Sequence, residues 1–398
     1  MKRLLACLLS LVLFLPYLAF AEDDAIPASF KFGADVSTVL SEENSGVVYR
    51  NRDGEPTDLF VLLKEAGWDT VRVRVWNDPF DEDGRGYGGG NCGVANAVEI
   101  ARRCKEAGLS LIVDFHCSDF WADPAKQMSP KAWVTMDLTQ KCSALYAFTT
   151  DALTQIAATG VDIWMVQVGN EINGGMAGEW STNGRNQLMN AGSAAVRATL
   201  PDALVAVHFT NVSQSDAKKY IREVCEGDTP VDFDVMAYSY YSYWHGSLEN
   251  LSELMADVRE NFGKDVFIAE TAYPFTTNNL DTHPNSVPNK WCDMKQDISR
   301  DGQAADFRET VETAVQAYAL GVCYWEPAWI PVPGNSWEEQ SKLWEQFGSG
   351  WASSYAGGYD PQDAGAWFGG CAWENQALFE VDGTPAWTLS LPNILRGE

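Results

Sequence analysis

Ile163-Trp164-Met165-Val166-Gln167-Val168-Gly169-Asn170-Glu171 is a short apolar run, rich in strand-forming residues, that ends abruptly on Gly-Asn-Glu. Such a run is a strand covered on both faces, as in a parallel sheet. Glu171 stands at its tip, where a carboxylate is costly to bury without a partner. A second run, Asp265-Val266-Phe267-Ile268-Ala269-Glu270, ends the same way. Working outward, strands are expected to begin near residues 32, 70, 110, 163, 204, 233, 265 and 321. Helical stretches at 58–67, 95–108, 139–160, 185–200, 215–225, 248–262 and 303–320 separate them. Eight such units in one chain imply an α/β fold, a (β/α)8 TIM barrel formed as a single domain with extended βα loops. The tail, 331–395, has no strong periodicity and reads as a long last loop, a closing helix and a C-terminal wrap.

In such a barrel, chemistry sits at the carboxyl ends of the strands. Polar and aromatic residues collect there on nearly every strand: Asp35, Arg74, Trp76, Asp114, His116, Asn170, Glu171, His208, Tyr240, Glu270, Trp325 and Glu326. Two carboxyls at two strand tips are what retaining glycoside hydrolysis requires, one as nucleophile and one as acid and then base. Arg74, Asn170 and Tyr240 are the expected source of charge and hydrogen bonds to the nucleophile and the sugar. The blander reading of either Arg72 or Arg74 is that it neutralises a neighbouring carboxylate.

Composition narrows the partners. The chain is 46% hydrophobic over 398 residues, enough for one large core, and its 16 Trp suit a groove in which sugar rings stack. A formal charge of −27 argues against nucleic acid and anionic membrane. The glycine-rich 83–91 loop lacks the spacing of a phosphate cradle.

Residues 1–21 read as a signal peptide: Lys2-Arg3, an apolar stretch from Leu4 to Phe20, and an Ala19-Phe20-Ala21 cleavage site. A secreted chain is therefore expected, extracellular, periplasmic or at the cell surface, with 22–398 as the catalytic domain. No later stretch is apolar enough to span a bilayer. The eight cysteines beyond the signal permit disulfides without dictating their pairing. Cys117 and Cys323 read as small apolar fillers. A monomer is expected.

The motifs are Gly33-Ala-Asp-Val-Ser37, Val71-Arg-Val-Arg-Val-Trp-Asn-Asp-Pro79, Tyr87-Gly-Gly-Gly-Asn91 and Asp114-Phe-His-Cys-Ser-Asp-Phe-Trp-Ala-Asp-Pro124. They continue with Val166-Gln-Val-Gly-Asn-Glu-Ile-Asn173, Ser239-Tyr-Tyr-Ser-Tyr-Trp-His-Gly246, Glu270-Thr-Ala-Tyr-Pro274 and Tyr324-Trp-Glu-Pro-Ala-Trp329. In this order they resemble glycoside hydrolase family 53, the secreted endo-β-1,4-galactanases of clan A. The resemblance implies Glu171 as acid/base, Glu270 as nucleophile, and the galactan or arabinogalactan side chains of pectin as substrate. Arg74, Asp114, His116, Asn170, Tyr240, Trp325 and Trp329 are then the expected substrate-binding set. The chain departs from the family pattern at Cys117, where an aromatic is usual, and at Ser242, where proline is common.

The loop Asn279-Leu-Asp-Thr-His-Pro-Asn285 resembles a calcium-binding loop of bacterial members. Asn279, Asp281, His283 and Asn285 are its expected ligands, with further oxygens from 353–363; oxygen donors suit calcium. No organic cofactor is expected. Three other readings remain: a clan A enzyme acting on mannan, xylan or glucan; a carbohydrate-binding barrel without activity; and a zinc amidohydrolase. Both Glu being present counts against the second. Only four His, none as H-x-H, count against the third.

Overall fold

The structure is a computed structural model that describes residues 25–213 and 217–398. The expected signal peptide, 1–21, and the first residues of the 215–225 helix lie outside the described residues. Eight parallel strands close into a barrel: β1 (Lys31–Asp35), β2 (Thr70–Val75), β3 (Ser110–Phe115), β4 (Ile163–Val168), β5 (Leu204–Phe209), β6 (Val235–Ser239), β7 (Asp265–Thr271) and β8 (Gly321–Trp325). Closure is made by β1 on β8, with Gly33 opposite Cys323. Five of the helices between them start on side-chain caps. Asp58 accepts from the Phe60 N–H, Ser181, Ser247 and Ser299 each accept from the N–H three residues on, and Asp137 with Gln140 forms a capping box. Gly108 and Gly263 end two of them in the left-handed conformation.

The barrel interior changes character along its axis. Its floor is apolar: Ile112, Met165, Ala206, Ala237, Phe267 and Cys323 pack together. Two residues further along the same strands, on the same face, come Asp114, Gln167, His208 and Ser239, all buried. Asp35, Arg72 and Arg74 complete this polar layer. Polar groups buried this deeply persist only when hydrogen-bonded or paired, which ties their placement to the site above.

Several strand exits turn through the left-handed region: φ is +55° at Cys117, +46° at Glu171, +58° at Asn211 and +50° at Glu326. Each costs a non-glycine residue about 1–2 kcal/mol. The cost falls at the end of the barrel where the candidate carboxylates lie, and there it turns Glu171 off the axis of β4.

The tail is more structured than its pattern implied. It holds a helix, Trp337–Phe347, capped by Ser336, and a final helix, Leu391–Arg396. The first buries only Gln340 and Trp344, so most of its apolar side is left partly exposed. The second seals the amino ends of the strands, with Asn393 donating to the Glu65 carbonyl and Arg396 to that of Gly67. All eight described cysteines are free thiols, and Cys117 and Cys323 are buried fillers as expected.

The helix Thr182–Thr199 packs closest to β4 at Gly192, where an added Cβ would lie 2.5 Å from Val168 Cγ1. Gly192→Ala is therefore expected to destabilise the fold by about 1–3 kcal/mol through overpacking. Denaturant unfolding checks this, and a stability equal to wild type would contradict the close packing.

Candidate active site

Glu270 lies on β7, buried in a shell of donors. Arg72 Nη1 donates to Oε1 at 2.9 Å, and the Tyr241 hydroxyl donates to Oε2 at 2.9 Å. Arg72 also reaches Asp35 at 2.8 Å, Asp114 at 2.9 Å, Gln167 Oε1 at 3.2 Å and Asn170 Oδ1 at 3.0 Å. Burial raises the Glu270 carboxyl above its usual value, and the Arg72 charge opposes that rise without cancelling it. Glu171 has no cation beside it among the described residues. Burial first, and the Glu270 charge second, push its carboxyl up to about 8. Burial raises both glutamates at these strand ends, but only Glu270 has a cation opposing the rise, so Glu171 is the one favoured as the acid.

Two expected residues change role. Arg74 faces the barrel interior but is not the partner of Glu270. Its Nη1 lies 2.6 Å from Glu326 and 3.5 Å from Asp35, and its guanidinium sits 4.3 Å from the centre of the Trp121 ring. One step of the strand repeat separates it from Arg72, and that step moves it from the nucleophile to the neighbouring aromatic wall. Tyr240 does not reach the cleft. Its hydroxyl donates to the Gly246 carbonyl, and Tyr241 takes the expected role. The reason is alternation: Val235 and Ala237 point inward and Tyr238 outward, so Tyr240 points outward as well. That signal was available in the sequence.

The remaining expected residues gather at the site. His116, Asn170, Trp325 and Trp329 line the cleft with Glu171 and Glu270. Asp114 lies beneath it, fully buried. It accepts from Arg72, from Gln167 at 2.6 Å and from His116 Nε2 at 3.2 Å, so it orients these groups and does not face the cleft. The cleft holds about 510 Å3 and has further tryptophans that were not singled out: Trp121, Trp244, Trp351, Trp367 and Trp373. Three of these come from the tail, where only the chain's return to the barrel mouth reveals them. A tryptophan-walled groove over two carboxyls of unequal proton affinity is suited to holding a sugar chain and cleaving its glycosidic bond.

Comparison with known proteins agrees with this chemistry. The model of glycosyl hydrolase family 53 matches residues 31–391. The chain belongs to glycosyl hydrolase family 53. It is 49% identical over 356 residues to an endo-β-1,4-galactanase of Bacillus subtilis (strain 168), covering 89% of this chain and 83% of that protein. Among solved structures, a family 53 catalytic domain of Ignisphaera aggregans superposes with a TM-score of 0.82 at 32% identity, covering 93% of this chain and 97% of that one. A structure from a study of two fungal β-1,4-galactanases superposes with a TM-score of 0.71 at 26% identity, over 92% and 99% of the two chains. A glycoside hydrolase of this family is not a zinc amidohydrolase.

The family 53 chain arranges the 279–285 loop differently from the expected cage. Asn279 Oδ1 accepts from the Asn285 N–H at 3.0 Å, which closes the loop on itself, and His283 stacks on Trp337. Asp281 accepts from the backbone N–H of His283 and of Cys371. Among the described residues no group of three or more His, Cys, Asp or Glu is placed to hold a metal. Asp281 and Asn285 instead face Glu374, which the sequence reading did not include. The 353–363 segment is engaged elsewhere: Ser353 donates to the Gly86 carbonyl, and Asp360 and Asp363 pair with Lys126 at the cleft.

Replacing Tyr241 with Phe removes a donor to the ionised form of Glu270, so that carboxyl's pKa rises. The acidic limb of the kcat/KM profile is then expected to move up by about one pH unit. Tyr240→Phe should leave both limbs in place. Profiles of the two variants side by side check the exchange of roles, and the reverse pattern would restore Tyr240.

Proposed function

We propose that this protein is a secreted, retaining endo-β-1,4-galactanase that cuts galactan and arabinogalactan side chains of pectin, with Glu270 as nucleophile and Glu171 as acid and base. The observation that carries the reading is the unequal setting of the two carboxyls. Glu270 has Arg72 and Tyr241 to support its negative charge, while Glu171, half-buried near it, has no cation among the described residues. Glu270 attacks the anomeric carbon as the bond to the leaving oxygen breaks and Glu171 gives that oxygen its proton. Glu171 then takes a proton from water, the water oxygen bonds to the anomeric carbon, and the Glu270 carboxylate is released. Galactan as substrate is supported by the Bacillus subtilis relative, an endo-β-1,4-galactanase by name. The open, tryptophan-lined cleft suits cleavage within a chain. Secretion rests on the 1–21 segment; no helix among the described residues is long and apolar enough to cross a membrane.

One experiment tests substrate and roles together. Wild type should release reducing sugar from linear β-1,4-galactan faster than from mannan, xylan or glucan. Glu171→Ala, given an activated aryl galactoside and azide, should yield the β-galactosyl azide, because the glycosyl-enzyme still forms. Glu270→Ala should yield the α anomer, because azide replaces the nucleophile. Faster cleavage of another glycan would reject the substrate, and interchanged anomers would reverse the roles.

Calcium at the 279–285 loop belongs to the same proposal. Support comes from Asp281, which burial raises to about 6, and Glu374, which burial and then the Asp281 charge raise to about 8. Asn285 Oδ1 and Glu374 Oε2 are buried without a hydrogen-bond partner. A hard cation would neutralise the carboxylates and take up the orphaned oxygens. Asp281, Asn285 and Glu374 would hold it. Asn279 and His283 were expected beside them, but Asn279 Oδ1 already accepts an N–H within the loop. Chelation is expected to lower the melting temperature and calcium to restore it, rising as RT ln(1 + [L]/Kd). Melting curves indifferent to both would remove the ion.

A further inference from the structure

Glu171 changes protonation twice per turnover, yet burial and the Glu270 charge both favour its protonated form. Asp123, from the loop after β3, adds a further negative charge. The other titratable groups packed around it are His208 from β5 and Tyr241 and His245 from the loop after β6. Tyr241 spends its proton on Glu270. Lys126 at the cleft edge is paired with Asp360 and Asp363. None of these supplies a proton to stabilise the Glu171 carboxylate.

We propose that Ser239 and Thr210 are positioning residues that donate their hydroxyl protons to the Glu171 carboxyl, each held to that task by a neutral histidine. The proposal rests on Glu171 being the acid and base. Ser239 ends β6, fully buried and in register with Glu270. Its Oγ lies 2.9 Å from His208 Nε2. The other ring nitrogen, Nδ1, faces two donors: Gln167 Nε2 at 2.9 Å and the Glu171 backbone N–H at 3.4 Å. Gln167 is fixed in that orientation, because its Oε1 accepts from Arg72 while its Nε2 also donates to Asp114. Asn170 Oδ1 also lies 3.0 Å from Nδ1, but a protonated Nδ1 would set its N–H against the oriented Gln167 N–H at 2.9 Å. Nδ1 therefore accepts, the ring proton sits on Nε2, and it is given to Ser239 Oγ. The serine proton is left for Glu171.

Thr210, just beyond β5, repeats the device. His245 Nδ1 accepts from the Tyr241 N–H at 3.2 Å, so its Nε2 carries the proton, 3.4 Å from Thr210 Oγ1. The threonine proton is again free. Thr210 lines the cleft beside Glu171, and Ser239 and the Glu171 N–H sit on the two nitrogens of one His208 ring; both hydroxyls act to lower the Glu171 carboxyl. Burial keeps the two imidazoles neutral, lowering His208 well below its usual value and His245 to about 4. The hydroxyls oppose the upward push of burial and Glu270, which keeps the carboxyl a strong enough acid to release its proton to the leaving oxygen.

The test is the pH dependence of kcat/KM on β-1,4-galactan. Ser239→Ala and Thr210→Val each remove a donor to the carboxylate, so Glu171 holds its proton to higher pH. The basic limb is expected to move up by about one pH unit in each. The double variant should move further, and Thr210→Ser, which keeps the hydroxyl, should return the limb to its wild-type position. Folded variants whose rate falls equally at every pH, with the limb unmoved, would overturn the proposal. If Ser239→Ala does not fold, Thr210→Val carries the same expectation and decides alone. Glu171→Gln separates the two levels: a basic limb that survives in it would reject Glu171 as the acid. A limb lost there but unmoved in the hydroxyl variants would reject only the role of Ser239 and Thr210.

Discussion

The Arg72 guanidinium is the interaction on which the upper barrel depends. It is 1% exposed and binds three carboxylates, Asp35, Asp114 and Glu270, together with Gln167 and Asn170. These partners come from β1, β3, β4, the turn after β4, and β7, so a single side chain on β2 ties most of the barrel mouth together. Removing one partner from such a buried pair leaves an uncompensated charge at a cost of about 3–5 kcal/mol, whereas apolar packing of the same volume is often neutral or better. The network therefore serves geometry and charge at Glu270 more than stability.

The same network separates the two glutamates. Glu270 is buried and Glu171 half-buried, both at strand ends. Glu270 receives a cation and a phenol, and Glu171 has neither beside it among the described residues. The difference in proton affinity follows from what each neighbouring strand brings, not from depth of burial. Arg74 does related work one layer over. It pairs with Glu326 and Asp35 and lies over Trp121, joining the charged interior to the aromatic wall.

The groove has a different origin from the chemistry. Strand ends supply the reacting and orienting groups, and the tail supplies much of the wall through Trp351, Trp367 and Trp373. The tail is fastened to the loop after β3: Lys126 binds Asp360 at 2.7 Å, and Trp121 Nε1 donates to the Trp351 carbonyl at 2.8 Å. Substrate-facing surface can thus vary in the tail while the barrel mouth stays as it is.

The barrel, its eight strands and the two glutamates at strand tips were legible in the sequence, because burial on both faces leaves apolar runs and the strand repeat sets which residues point inward. The starts of β2, β3, β4, β5, β7 and β8 fell at the expected residues, and β6 began at Val235 in place of Phe233. Alternation also held the answer for Tyr240, whose outward direction follows from Ala237 pointing in. Other features were decided by the tertiary structure alone. Arg72 and Arg74 share one face of one strand, and only the position of β1, β7 and β8 around them assigns one to Glu270 and the other to Glu326. Asp281 and Glu374 meet across 93 residues, and His245 reaches Thr210 across 35. Local sequence encodes which way a side chain points. What it meets there depends on strands and loops brought round by barrel closure, and no local pattern carries that information.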